Sequence, residues 1–328
     1  MAESVAPTCE AVGIDHAAPP AAPPAPRRTL VLSGGGGRGV WQVGACEHLI
    51  LERGYGFDLI AGVSAGAVNG ATLAQAHDHD ELQAELEHLR SVWFGLRGNH
   101  DIYRSRPLGH VRMVLGRHAG VYEPGPLREI LLEHIDPSRV ATSPVELRVG
   151  YVDLVTGRYR TAGNDDPALR DAVLASCSLP VAFPPVALRN GRELGVDGGV
   201  RSISPLLDAL AALAARPPVA GGDEVWVILT HPLFRRQATE IQSWLTVARR
   251  CLSLLTDESI PEDLARVRQI SDLLRSEAMP DGGRDVRLRV VHPQQRLNGA
   301  TLDFTPAKLR AWYEDGLRTA RAGAALEV

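Results

Sequence analysis

The sequence lacks any long apolar run. No stretch approaches the roughly 20 consecutive apolar residues that a membrane-spanning helix needs. It also lacks a basic N-terminal region followed by an apolar core, so no Sec-type signal peptide is predicted. We therefore expect a cytoplasmic protein, at most peripheral to a membrane, and leave open export by a route that reads no such signal.

Cysteine is scarce, with four residues spread along the 328-residue chain. Neither CxxC spacing nor a cluster of Cys and His occurs, which argues against a zinc site. Cys46 and Cys177 lie among apolar or small residues and are predicted to be buried thiols, as is compatible with a reducing compartment. We expect neither a metal ion nor a cofactor.

An excess of charge of either sign is also missing. The net charge of −4 provides no overall attraction for nucleic acid, so no nucleic-acid partner is predicted. A hydrophobic fraction of 45% and a charged fraction of 23% are typical of a globular protein with a full core. The composition leaves the oligomeric state open.

The folded region begins after an unusual N-terminal segment. Residues 1–27 contain AAPPAAPPAP and almost no periodic apolar pattern, which predicts a disordered or polyproline-like tail. Residues 28–328 contain no internal repeat and are predicted to form one domain.

Strand and helix signals alternate from Thr29 onward. TLVLS (29–33) and FDLIAGV (57–63) predict buried strands. VWQVGACEHLILERG (40–54) and AGAVNGATLAQA (65–76) predict the helices that follow them. This βαβ order implies parallel strands, so the predicted fold class is α/β, with a mainly parallel central sheet flanked by helices.

The remaining segments extend this pattern. They predict helices at 78–92 and about 105–135, a hairpin at 145–163 that turns at Thr156-Gly157, and a helix at 167–178. Extended pieces around Asn190-Gly191, strands at 224–231 and 285–293, and a closing helix over FTPAKLRAWYEDGLRTARAGAA (304–325) follow. The region near 95–135 is a candidate helical insertion. Its apolar residues allow either a helical core or a lid facing lipid: Trp93, Phe94, Met113, Val114 and Leu115.

Four consecutive glycines follow the first strand. Gly34, Gly36 and Gly39 match the dinucleotide fingerprint GxGxxG, and Asp58 stands 19 positions after Gly39. However, the carboxylate that binds ribose belongs at the C-terminal end of the second strand, and Asp58 is at its start, roughly 17 Å away. No GK[ST] closes the run as a Walker A loop requires. Dinucleotide binding therefore remains only an alternative.

Ser64 occupies the C-terminal end of the second strand, within GVSAG (62–66). In a GxSxG elbow, a sharp strand-to-helix turn exposes the serine, and glycines such as Gly62 and Gly66 remove side chains that would collide there. The N–H of Ala65 would then face a developing oxyanion. Ser64 is thus a candidate nucleophile, and the alternative is an ordinary helix N-cap.

A serine nucleophile gives the glycine loop a chemical purpose. Acyl transfer passes through an oxyanion that needs preorganised donors, and a glycine-rich helix start presents unpaired N–H groups. The candidate donors lie in the loop and directly after the serine: Gly34, Gly35, Gly36, Gly37, Arg38, Gly39 and Ala65.

A base is still required to accept the serine proton. Asp197 lies between glycines in GVDGG (195–199), where Gly198 and Gly199 allow a tight turn and close approach of the backbone. Asp197 is the candidate base, and the alternative is an ordinary Asp-Gly turn residue.

Together these motifs resemble the patatin-like phospholipase family from about residue 29 to 205. The matching blocks are GGGGRG (34–39), GVSAG (62–66), ASCSLPVAFPPV (175–186) and DGG (197–199). Where members often carry Asn-Pro after DGG, this chain has Ser202-Ile203-Ser204-Pro205. The resemblance implies a three-layer patatin-like domain, a Ser64–Asp197 dyad without histidine, and hydrolysis of acyl esters of lipids or phospholipids, with transient contact with a membrane surface.

Two other functions remain open. A hydrolase triad would use Ser64 and Asp197 with His231 or His292, which both follow predicted strands, as in an esterase or thioesterase. A catalytically silent lipid-binding module would leave Ser64 unmodified. The sequence does not decide whether Arg38 has a structural role or faces a lipid phosphate.

Overall fold

The computed structural model describes residues 24–106, 119–233, 247, 286–323 and 325–327. Its strands are β1 (Arg27–Leu32), β2 (Leu59–Val63), β3 (Arg104–Ser105), β4 (Tyr122–Glu123), β5 (Glu146–Asp153), β6 (Arg158–Ala162), β7 (Val186–Leu188), β8 (Glu193–Asp197), β9 (Asp223–Ile228), β10 (Val286–Val291) and β11 (Ala325–Glu327). Its α-helices are α1 (Gly39–Glu47), α2 (Ala65–Leu73), α3 (His79–Gly95), α4 (Gly125–His134), α5 (Pro137–Thr142), α6 (Leu169–Ser176), α7 (Leu206–Ala214) and α8 (Pro306–Arg321).

The central sheet has the order β11-β10-β9-β1-β2-β5-β8-β7, with β6 paired to β5. Strands β10, β9, β1, β2 and β5 are mutually parallel, and β11, β6, β8 and β7 join them in antiparallel pairs. This arrangement confirms the predicted α/β class with a mainly parallel sheet.

Helices cover both faces of the sheet. Side chains alternate along β1, so Leu30 and Leu32 join one apolar core while Val31 joins the other. The larger core contains residues of α1, α2, α3, α6 and α8, and the smaller core is closed by α7. The sheet and the helices on its two faces make three layers, which together form a single domain.

Strand β5 has two different partners along one edge. Its first half pairs with β2, in a register that ends at Val63 opposite Gly150. Its second half pairs with β8, beginning with Tyr151 opposite Asp197. Strand β6 occupies the other edge of β5, so the ends of β2 and β8 meet head to head. Ser64, which follows Val63, and Asp197 therefore leave the sheet at the same place.

Several element boundaries differ from the sequence predictions. Strand β1 begins at Arg27, and α1 continues as a π-helical turn over His48–Glu52. The predicted helical stretch at 105–135 contains the short strands β3 and β4 before α4 begins, and residues 107–118 lie outside the described residues. The closing helix was predicted to extend too far, because α8 ends at Arg321 and Ala325–Glu327 pairs with β10.

The predicted lid residues fall into two groups. Trp93 is buried and donates a hydrogen bond from its indole to Asn69 (2.9 Å), while Phe94 packs against Tyr313. These contacts assign both rings to the helical core. Met113, Val114 and Leu115 lie outside the described residues, as do residues 1–23 of the predicted tail. In the part of the chain that the structure describes, every helix is too short or too polar to cross a membrane.

Candidate active site

Ser64 lies at a strained turn between β2 and α2. Its backbone has φ 55° and ψ −125°, a left-handed conformation that a side chain rarely adopts. The turn is sharp because α2 begins directly after the serine and packs back against β2. This is the geometry that the GxSxG motif predicts, and it directs Ser64 to the C-terminal edge of the sheet.

The two motif glycines allow this turn to pack tightly. A Cβ on Gly62 would lie 2.2 Å from the carbonyl oxygen of Gly66, and one on Gly66 would lie 2.3 Å from the carbonyl oxygen of Leu32. Both distances are far inside van der Waals contact, so any side chain would push α2 away from β1 and β2. The glycines are therefore required for the close approach of helix and strand.

Ser176 fixes the turn from the opposite side. Its buried hydroxyl accepts a hydrogen bond from the Ser64 N–H (2.8 Å) and donates one to the carbonyl of Gly150 (2.6 Å). Ser176 thus ties the strained residue to β5. The role of Ser176 is not predictable from the sequence, because a serine at the end of a helix has no distinctive local signal.

Asp197 is almost completely buried beside Ser64. One carboxylate oxygen accepts a hydrogen bond from the Gly199 N–H (2.8 Å). Burial raises the pKa of this carboxyl to about 6, while hydrogen bonding from Gly199 and from the Ser64 side chain acts in the opposite direction. The structure therefore brings together the predicted nucleophile and base, and it increases the proton affinity of the base.

The glycine loop contributes fewer free donors than the sequence suggested. The N–H groups of Gly34, Gly37, Arg38 and Gly39 already donate to backbone carbonyls of Ile203, Thr301, Gly35 and Gly36. Among the described residues, no acceptor lies against the N–H groups of Gly35, Gly36 and Ala65. The predicted set of six loop residues and Ala65 is thereby narrowed to these three donors, which all line the same cavity as Ser64.

The loop is held from behind by three neighbouring segments. The hydroxyl of Thr230 donates to the carbonyl of Gly34, and the carbonyl of Thr301 accepts from Gly37 (2.8 Å). Ile203 accepts from Gly34 (2.9 Å), and its side chain packs where a Cβ on Gly34 or Gly199 would stand. The Ser-Ile-Ser-Pro sequence at 202–205, which departs from the family pattern, therefore places Ile203 between the glycine loop and the turn that follows Asp197. Sequence reasoning assigned none of these residues.

Arg38 is buried and forms part of this support. Only 3% of its surface is exposed, and its guanidinium donates to the carbonyl of Gly299 (2.8 Å). Arg38 does not line the cavity beside Ser64. Of the two roles that the sequence left open, this position favours the structural one.

The two candidate histidines occupy different places. His231 lines the cavity near Ser64, and its Nδ1 lies 2.9 Å from the Thr230 hydroxyl. His292 lies outside the cavity lining, with its Nδ1 3.0 Å from the carbonyl of Pro293. The structure thus brings only His231 to the site.

A cavity of about 270 Å³ opens directly at Ser64. The end at Ser64 is lined by Gly35, Gly36, Ala65 and Asp197, and the rest of the cavity wall is predominantly apolar. Within the described residues, no group of three His, Cys, Asp or Glu side chains could hold a metal ion. The arrangement offers a hydroxyl, a carboxylate, three N–H donors and an apolar chamber.

The dinucleotide alternative receives no support from the geometry. Asp58 lies at the opposite end of β2 from Ser64, where its carboxylate accepts a hydrogen bond from the Arg28 N–H (3.0 Å).

Cys46 is a buried free thiol as predicted, and burial raises its pKa to about 12. Cys177 is partly buried, lines the cavity, and has a raised pKa for the same reason.

Comparison with known proteins identifies the family. The family model for patatin-like phospholipase matches residues 30–210, which is more than half of the chain and contains every motif described above. The chain belongs to the patatin-like phospholipase family. A patatin-like phospholipase is a lipid hydrolase, so the family supports a hydrolase function for this chain.

Two curated relatives cover a similar part of the chain. An uncharacterized protein, YqhO of Bacillus subtilis (strain 168), is 29% identical over 193 residues, which is 54% of this chain and 64% of that protein. A cGAMP-activated phospholipase of Pseudomonas aeruginosa (strain BWHPSA011 / Pa011) is 31% identical over 194 residues, 55% of each chain. The match thus spans less than two thirds of either relative.

Solved structures show a more distant likeness. VipD from Legionella pneumophila has a TM-score of 0.39 at 16% identity, over 93% of this chain and 68% of that one. The type III effector protein ExoU has a TM-score of 0.34 at 15% identity, over 92% and 53% respectively.

Proposed function

We propose that this protein is a serine-dependent lipid acyl hydrolase of the phospholipase A or lysophospholipase type. It would cleave acyl esters through an acyl-Ser64 intermediate, with Asp197 as the base. One observation carries the proposal: a serine at a strained elbow and a buried carboxylate face the same apolar cavity, where three backbone N–H groups have no acceptor among the described residues.

In the first step, the Ser64 hydroxyl attacks the acyl carbonyl carbon and its proton passes to the Asp197 carboxylate. The carbonyl oxygen becomes an oxyanion, which the N–H groups of Gly35, Gly36 and Ala65 stabilise. The bond to the alcohol then breaks, and the departing alkoxide takes the proton from Asp197. The products are an acyl-Ser64 ester and a neutral alcohol.

In the second step, water replaces the alcohol. Asp197 accepts a proton from the water molecule as its oxygen attacks the acyl-serine carbonyl, and the same three N–H groups stabilise the second oxyanion. Collapse of this intermediate releases the fatty acid, and the proton on Asp197 returns to the Ser64 oxygen. The enzyme is regenerated without a net change of proton or electron count.

The environment of Asp197 suits this task. A solvent-exposed carboxylate is a poor acceptor for a hydroxyl proton, because its proton affinity is much lower than that of the alkoxide that would form. Burial raises the pKa of Asp197 to about 6 and so decreases that difference, while leaving the group mostly ionised at neutral pH. A histidine between serine and aspartate is not required by this arrangement.

Lipid substrates imply at least transient contact with a membrane or micelle. The apolar cavity wall supports an acyl chain as the buried part of the substrate, and the headgroup would remain near the cavity mouth.

Incubation of the full-length protein with phospholipid vesicles and with p-nitrophenyl esters tests the proposal. We expect release of fatty acid and of p-nitrophenol by the wild type, and none above background by Ser64→Ala. Hydrolysis that survives in folded Ser64→Ala would overturn the assignment of the nucleophile. Binding of vesicles without any hydrolysis would support a silent lipid-binding module instead.

A further inference from the structure

The cavity behind Ser64 has a defined depth. Three helices line it side by side, through residues that recur on one face of each helix. On α2 these are Ala65, Val68 and Thr72; on α3, Leu89, Val92, Trp93 and Leu96; on α4, Leu127, Ile130, Leu131 and His134.

The three helices give similar lengths. The lining residues span seven positions along α2 (65 to 72), seven along α3 and its C-cap (89 to 96), and eight along α4 and its C-cap (127 to 135). At 1.5 Å per residue, seven positions correspond to about 10 Å. The cavity therefore extends about 10 Å from the catalytic end to its far end.

The orientation of the helices fixes which lining residues lie far from Ser64. Trp93 donates to Asn69 and the carboxylate of Glu85 accepts from Gln75, so α3 runs antiparallel to α2. Thr72, Leu89 and His134 consequently lie together at the far end, and Ala65 lies beside the nucleophile.

A buried polar cluster forms the floor behind these residues. Gln75 is 2% exposed, and its amide donates to the carbonyl of His134 (3.1 Å) and to Glu85 (3.2 Å). Its amide oxygen accepts from the Asp136 N–H (2.8 Å), and Arg139 pairs with Glu85 (2.5 Å). These bonds link the segment after α2 to α3 and to the end of α4, and link α3 to α5, so the floor is held in place by satisfied polar groups.

From this geometry we propose that the cavity binds the acyl chain of the substrate and limits it to about eight to ten carbons, with His134 as the residue that ends the chain. This inference rests on the proposed function. It makes the protein selective for medium-chain acyl esters.

The length follows from the covalent geometry of an alkyl chain. Bonds of about 1.5 Å that meet at about 111° advance about 1.25 Å per carbon, so about 10 Å holds about eight carbons beyond the carbonyl. A longer chain would meet the imidazole of His134 and the satisfied polar cluster behind it.

His134 is also the residue whose removal should extend the chamber. Its ring lies between the cavity and the imidazole of His88, at 4.9 Å between ring centroids, and about a fifth of its side chain is exposed. Gln75 binds its backbone carbonyl, so His134→Ala removes the ring and keeps the hydrogen bond that fixes the floor. Val68 lies one helical turn after Ser64 and also lines the cavity, so a larger side chain at this position should shorten the chamber.

The test compares kcat/KM for p-nitrophenyl esters with acyl chains of 4, 8, 10, 12 and 16 carbons. For the wild type we expect an increase of about fourfold per added methylene up to eight or ten carbons, and no further gain beyond that length. His134→Ala should move the optimum to 12 carbons or more, and Val68→Phe should move it to 4. Leu132→Ala is the matched control, because Leu132 is 52% exposed on the same helix as His134 and should leave the profile unchanged.

Ratios between chain lengths do not depend on how much of a variant is folded, so partial unfolding cannot imitate the expected opposite shifts. An optimum at 16 carbons, or a profile that His134→Ala and Val68→Phe leave unmoved, would overturn the chain-length inference while hydrolysis itself stands. Absence of Ser64-dependent hydrolysis for every ester would instead refute the proposed function.

Discussion

Ser64 and Asp197 meet because two strands end head to head against a third. Strand β2 ends opposite Gly150, and β8 ends opposite Tyr151, the next residue of β5. The two side chains are 133 positions apart in sequence, yet a single step along β5 separates their places in the sheet. Their proximity is therefore a consequence of strand register.

Activity should depend on the ionisation of Asp197. In the proposed mechanism the ionised carboxylate of Asp197 accepts the Ser64 proton, and burial raises the pKa of this carboxyl to about 6. We expect kcat/KM to be half-maximal near pH 6, to fall about tenfold per pH unit below that value, and to be level above it. A stopped assay with an ester that does not ionise measures this profile. A profile that stays level down to pH 4.5 would contradict the raised pKa.

Substitution should separate a dyad from a triad. Ser64→Ala and Asp197→Asn are expected to lower kcat by at least about 1,000-fold, since members of a catalytic unit act together. His292→Ala should retain nearly full activity because His292 lies outside the cavity, and His231→Ala should lose less than about tenfold. Loss of activity in a folded His231→Ala variant comparable to that of Asp197→Asn would favour the triad.

Asp197 should cost the protein stability at neutral pH. Because its pKa is about 6 in the folded state and 3.8 ordinarily, the folded state holds the extra proton between these values. The contribution of Asp197 to the free energy of unfolding is therefore most favourable below pH 3.8. This contribution decreases by up to about 3 kcal/mol as the pH rises through 6. Asp197→Asn should be the more stable protein at pH 7.5 and about equal to the wild type at pH 3.5, as measured by urea unfolding. Equal stabilities at pH 7.5 would refute this.

The strained backbone of Ser64 should also have a measurable cost. Ser64→Gly and Ser64→Ala both remove the hydroxyl, but only glycine adopts φ 55° without strain. We expect the glycine variant to be more stable than the alanine variant by about 1 kcal/mol in urea unfolding. The same pair of substitutions at Ser91, exposed in α3, is the control and should show the reverse order.

Arg38 should act by supporting the glycine loop. Its buried guanidinium binds the carbonyl of Gly299, so Arg38→Gln should displace Gly35 and Gly36 and lower kcat by at least about tenfold. The loss should be equal for a neutral ester and for a phospholipid, which we would measure side by side. A loss confined to the phospholipid would show instead that Arg38 recognises phosphate.

The sequence predicted those parts of the site whose cause is local. GVSAG specifies its own sharp turn, because Gly62 and Gly66 are needed for the approach of α2 to β1, and the βαβ order places the glycine loop beside it. The head-to-head junction on β5 could not be predicted, since it depends on the register of three strands. Ser176, Ile203, Thr230 and Thr301 were missed for a similar reason: each acts through a long-range contact that leaves no local pattern.

The glycine loop shows the same limit at the level of single atoms. Its sequence indicated six candidate N–H donors. Hydrogen bonds to Ile203 and Thr301 and within the loop itself occupy four of them, and within the described part of the chain only the N–H groups of Gly35 and Gly36 have no acceptor. Which N–H groups are occupied is decided by segments far away in sequence. Likewise the floor of the cavity depends on Gln75 and Glu85, which the sequence marks only as polar residues of helical segments.

The most direct test of the central claim is to label the protein with a fluorophosphonate and to locate the adduct by mass spectrometry. Such a probe reacts with a serine whose hydroxyl is activated beside an oxyanion site. The account predicts one adduct, on Ser64, formed by the wild type at pH 8 and absent from Ser64→Ala and from Asp197→Asn. An adduct on another residue, or labelling of Ser64 that is as fast in Asp197→Asn as in the wild type, would contradict the account.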